Sequence, residues 1–101
     1  MQEIIARRRR HRTDFMLRLY ARTDASVAEF VSAFDIGEEL GIEPAEVAKL
    51  VGYLEEKGWV MVDDHRSGLL RITAAGIDHV ESLPPSEIGP GDPSPEGDAA
   101  G

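Results

Sequence analysis

The sequence predicts a mainly α fold carrying a small antiparallel β-hairpin, and three observations predict it. Residues 2–22 are good helix formers with no glycine or proline among them. Two shorter helical segments, 35–40 and 44–57, are separated only by Gly41-Ile42-Glu43. Beyond them, strand-like runs at 59–62 and 69–72 flank a turn with glycine at its end.

Taken in order, the first helix has two unlike halves. Phe15, Met16, Leu19 and Tyr20 fall at helical spacing and give its second half an apolar face. Its first half holds Ile4 and Ile5, then Arg7-Arg8-Arg9-Arg10-His11-Arg12, which points around the whole helix. That half is expected to project from the body or pack on another molecule. Thr23-Asp24-Ala25-Ser26 is a turn signal. Residues 30–34, short, β-branched and aromatic, suit a small third strand. Asp35 is expected to cap the next helix, with Glu38 at the capping-box position, Ile36 and Leu40 inward, and Gly41 as its stop. Pro44 suits a first helical turn. Val47, Leu50, Val51 and Leu54 form one buried face over two turns, and Gly58 ends that helix. Thr73 can cap a last helix running through Gly76, Ile77 and Val80 to about residue 83.

From Pro84 the composition changes. Five prolines alternate with glycine, serine and acids, and Ile88 is the only aliphatic side chain larger than alanine. Such a segment buries too little apolar surface to offset its ordering entropy, so residues 84–101 are expected to form a disordered acidic tail. The domain proper is then 13–83, with 1–12 as the basic part of the first helix.

Net charge is −8, which argues against broad nucleic-acid affinity. Its distribution says more. Residues 7–12 hold five of the eleven basic side chains; the other six, against all nineteen acids, leave the remainder at −13. The chain has no cysteine, so it forms no disulfide or thiolate metal site, which fits a reducing cytoplasm, the expected location. The basic start is not followed by an apolar stretch of seven or more, and no run approaches the ~20 apolar residues of a membrane span. Neither a secretory signal nor a membrane partner is expected.

The order of elements from 35 to 77 resembles a winged helix-turn-helix. The most specific words are Leu54-Glu55-Glu56-Lys57-Gly58-Trp59-Val60 and Ile72-Thr73-Ala74-Ala75-Gly76-Ile77. Together they look like a pattern of small bacterial and archaeal winged helices, including MarR-like and PadR-like repressors: Leu-Glu-x-x-Gly, an apolar residue and Ile or Val, then an apolar residue and Thr-x-x-Gly. The match covers roughly 13–83. It implies a mainly α fold with a small β-wing and a DNA-binding transcriptional regulator acting as a homodimer on double-stranded DNA.

In proteins of that kind the exposed face of the second motif helix reads DNA. Here that face presents Glu43, Glu46, Lys49, Tyr53 and Glu56. Carboxylates facing a phosphate ridge are repelled, leaving Lys49 and Tyr53 as its attractive contacts. The resemblance places Arg66, with His65 and Ser67, at the tip of a wing that could enter a minor groove; otherwise Arg66 is a solvated arginine offsetting Asp63 and Asp64. Clustered arginines bind phosphates or carboxylates through bidentate hydrogen bonds. Arg7, Arg8, Arg9, Arg10 and Arg12 are therefore candidates for a DNA-backbone clamp. The alternatives are contact with an acidic protein partner or a second subunit, pairing with the acidic tail, or an ordinary solvated helix end. Phe15, Leu19, Ile77 and Val80 are the candidate dimer contacts. A winged helix used purely for protein assembly is the alternative function.

Catalysis is not expected. His11, His65 and His79 lack metal-ligand partners at usual spacings, and Asp63-Asp64-His65 lies where aspartates serve turns. No phosphate-cradling glycine loop or nucleophile–base set is visible, and no cofactor is expected.

Overall fold

The computed structural model describes residues 1–88. Along the chain it has α1 (Gln2–Thr23), β1 (Val31–Ser32), α2 (Ala33–Leu40), α3 (Pro44–Glu56), β2 (Val60–Asp64), β3 (Leu69–Ile72), α4 (Ala74–Glu81) and a single turn, α5 (Pro85–Ile88). The fold is mainly helical, with one small antiparallel sheet in the order β1-β3-β2.

The predicted apolar faces build one core. Val47, Leu50, Val51 and Leu54 bury one side of α3, meeting Ile36 of α2 and Val60, Leu70 and Ile72 of the hairpin. From α1, Phe15, Met16 and Leu19 enter the same core with no exposed surface. Phe15 and Leu19 are thus interior residues of the single chain, as is Val80, while Ile77 is half-buried. The expectation that these residues meet a second subunit is corrected for the first three. An apolar helix face announces burial, but here the chain's own α2, α3 and sheet already cover it.

The hairpin pairs Val60 with Ile72 and Val62 with Leu70, inward-facing on one side, and Met61 with Arg71 on the other. A bulge between Val62 and Asp64 shifts the register at the tip. Gly68 closes this turn at φ 75° and is buried against Phe34 and Ala33. A Cβ there would sit 2.8 Å from the Phe34 ring in a backbone conformation that side chains disfavour.

The start of α2 differs from expectation. Ser32, with extended φ −86° and ψ 126°, is the residue before the helix, and it makes no side-chain cap. The Ala33 amide instead donates to the Gly68 carbonyl at 2.8 Å. This strand pairing starts the helix two residues before Asp35, which becomes a first-turn carboxylate favoured by the helix dipole rather than a cap. Glu38 accordingly forms no capping box. Residues 85–88, expected as part of a disordered tail, form α5 and pack on α1 through a hydrogen bond from Arg10 Nη2 to the Glu87 carbonyl, 2.8 Å. The rest of the expected tail, 89–101, lies outside the described residues.

Thr73 does cap α4. Its Oγ1 accepts from the Gly76 amide at 3.0 Å and donates to the Gly58 carbonyl, tying the helix start to the end of α3. Thr73→Ala should cost about 1–2 kcal/mol and Thr73→Ser much less, read from urea midpoints.

Candidate functional site

Packing decides where the arginines go. Phe15 and Leu19 face the core, and Arg8 and Arg12 precede Phe15 by seven and three residues, so they share its side of α1. Burial stops near His11, and everything before it on α1 is exposed. The same helix face that is apolar inside the body is therefore cationic where it runs past the end of the core, alongside α3.

Arg8, His11 and Arg12 line one wall of an open groove of about 220 Å³; Glu46, Lys49, Leu50 and Tyr53 of α3 line the other. The Arg12 guanidinium lies 4.1 Å from the Tyr53 ring centroid, a cation–π contact that holds both side chains at the groove. Lys49 Nζ is 3.7 Å from Glu46 Oε2. Three permanent cations thus face a single carboxylate. Such a groove can take anionic groups spaced along a chain, with guanidinium forks as donors.

Tyr53 is braced from behind. Its ring meets Trp59 edge-on at 6.5 Å, and Trp59 stacks on His79 at 3.6 Å and 12°. Burial in this stack, and secondarily the charge of Lys57, lowers the His79 pKa below its usual value. Lys57 Nζ lies 5.3 Å from the Trp59 centroid.

The remaining candidates are dispersed. Arg10 turns away from the groove: its Nε and Nη2 bond Asp14 Oδ1 at 2.9 and 2.7 Å. That hydrogen bond raises its pKa further above the usual arginine value. Arg7 and Arg9 are exposed, and among the described residues Arg7, Arg8, Arg9 and Arg12 form no salt bridge. At the hairpin tip, Asp64 accepts from the Arg66 amide at 3.2 Å and from Ser67 Oγ at 3.0 Å, a local turn that leaves the Arg66 side chain in solvent. His65 folds back on α3 instead, with Nε2 3.1 and 3.2 Å from the two Glu55 oxygens. Behind it, Phe34, Ala48, Gly52 and Val62 line a small apolar slot.

The structure therefore brings Arg8, Arg12, Lys49 and Tyr53 together. It places His65, Arg66 and Ser67 on the opposite flank of α3 and takes Arg10 out. His11 is a groove residue that sequence reasoning omitted, although its place three residues after Arg8 was a usable signal. The ion pairs from Arg18 and Arg22 to Glu39, at 2.7 and 2.6 Å, were also missed; chiefly through the hydrogen bond from Arg18, they hold the Glu39 carboxyl below its usual pKa and tie α1 to α2. Among the described residues no three His, Asp or Glu side chains converge to hold a metal ion, and no helix is long and apolar enough to cross a membrane. Comparison of the chain with protein-family models, with curated proteins and with solved structures returns no match.

Proposed function

We propose that this chain is a small winged helix-turn-helix protein that binds double-stranded DNA as a cytoplasmic, non-enzymatic transcriptional regulator. In this reading α2 and α3 form the helix-turn-helix, and β2, the turn and β3 form the wing. One observation carries it: Arg8 and Arg12 of α1 lie along the exposed face of α3 and add positive charge to a face whose own cation is Lys49. Arg8, Arg12 and Lys49 hold the phosphate backbone, Tyr53 adds a hydroxyl donor, and Arg7 and Arg9 extend the contact along the projecting helix. Arg66, at the far flank, reaches the neighbouring groove.

Two copies on one site remain part of the proposal, because a single module makes a small DNA interface. With Phe15, Leu19 and Val80 inside the core, the contact between copies uses other residues. The test is a salt titration of binding to a random 20-base-pair duplex. Affinity should fall by about 10²-fold or more between 50 and 200 mM salt, as four or more phosphate contacts require. No binding at 50 mM overturns the reading.

A second reading, docking of α3 on a protein, is favoured by the carboxylates Glu43 and Glu56 exposed on the same face. Replacing Glu46 and Glu56 by lysine separates the two. If α3 faces DNA, duplex affinity should rise by about tenfold or more at low salt; unchanged affinity assigns the face to a protein.

A further inference from the structure

We propose that residues 89–101 dock on the arginine-bearing half of α1, covering the surface that would hold nucleic acid; the competition with nucleic acid, though not the docking, rests on the function proposed above. Three observations lead there. First, Arg7, Arg8 and Arg9 are exposed with no salt bridge among the described residues, and Ile4 and Ile5 are 41% and 47% exposed on the same projecting helix. This is a cationic surface with an apolar edge.

Second, the chain is delivered to that surface. Arg10 Nη2 holds the Glu87 carbonyl at 2.8 Å while Arg10 also binds Asp14, so α5 is pinned to α1 within the arginine run itself. The last described residue, Ile88, is next to that anchor.

Third, the segment that follows is complementary. Residues 89–101 contain Asp92, Glu96 and Asp98 and no lysine, arginine or histidine. An extended chain covers at most about 3.3–3.6 Å per residue, so Asp92 can lie up to ~14 Å from Ile88 and Asp98 up to ~35 Å. The run from Arg7 to Arg12 spans only ~8 Å of helix axis. All three carboxylates therefore reach it together, and their short tether holds them at an effective concentration on the order of millimolar. Exposed ion pairs are individually weak, so the contact yields to salt and to a polyanion.

The test uses the full chain and the same chain with Asp92→Asn, Glu96→Gln and Asp98→Asn. Backbone amide NMR at 50 mM salt should show shift differences between them at residues 5–12, and these should vanish by 0.5 M salt. Superimposed α1 resonances at 50 mM overturn the docking. So do differences that grow with protein concentration, which would assign the contact to a second copy. Binding to the random duplex is the second arm: the neutralised chain should bind roughly 3- to 10-fold tighter at 50 mM salt, with the gap closing at 200 mM. If neither chain binds duplex but the amide differences are present, the DNA reading fails and the docking stands. If both bind equally and the amide differences are absent, the docking fails and the DNA reading stands.

Discussion

Arg8→Ala/Arg12→Ala should bind a random duplex on the order of 100-fold more weakly than the unchanged protein in 50 mM salt. The size follows from counterion release. Each phosphate contact contributes about 0.9 to the slope of log affinity against log salt, so two lost contacts make the slope shallower by about 1.8. Extrapolated from 1 M salt, where such contacts contribute little, that slope change corresponds to roughly 200-fold at 50 mM and roughly 20-fold at 200 mM. Arg10→Ala is the internal control. Its guanidinium is engaged by Asp14 and the Glu87 carbonyl, so its loss should leave the duplex slope nearly unchanged although it too removes a positive charge from the arginine run. A slope change in Arg10→Ala about half that of the double variant, equal per charge removed, would mean that the protein's overall charge, not the groove, governs binding. Folding is a separate readout: the Arg12–Tyr53 contact is worth about 0.5–1 kcal/mol, so a fall in the urea midpoint larger than that would show that the double variant acts through stability.

Arg8 and Arg12 also show what was legible in the sequence. Their spacing from Phe15 fixes the side of α1 on which they lie, and that much is readable from helical geometry. Which element stands opposite depends on how α1 docks across α2 and α3, and no local pattern states it. Val47, Leu50, Val51 and Leu54 were legible because helical period and burial agree, and Thr73 because a capping hydroxyl needs only the amide three residues on. Asp35 misled for the opposite reason. Its capping signal is local and sound, but strand pairing at Ser32 and Ala33 starts the helix earlier. Likewise Asp64, Ser67 and the Arg66 amide satisfy one another as the turn chemistry predicts, whereas the turn of His65 toward Glu55 is a tertiary outcome. Residues 85–88 have the composition of an unstructured segment, and their single helical turn rests against α1 through a contact 77 residues distant in sequence.

Phe15→Ala should destabilise the protein by about 3–5 kcal/mol and Leu19→Ala by about 2–5 kcal/mol, with unfolding midpoints that do not depend on protein concentration. Both side chains are fully buried among α2, α3 and the sheet of one chain, so truncation leaves a cavity inside that chain rather than a gap between two. A domain of this size has roughly 4–13 kcal/mol of stability, so Phe15→Ala should lie close to the unfolding threshold at 25 °C. The concentration test bears on assembly. If α1 packed on a second subunit through Phe15 and Leu19, dilution would lower the midpoint of the unchanged protein, and either alanine variant would shift the association equilibrium. A concentration-independent midpoint in all three proteins leaves the α1 face wholly inside the single chain. Ile77, half-buried on α4, is the one residue of the original set still able to touch a partner; Ile77→Ala should cost less stability than Leu19→Ala, and any concentration dependence that it alone removes would locate the contact between copies.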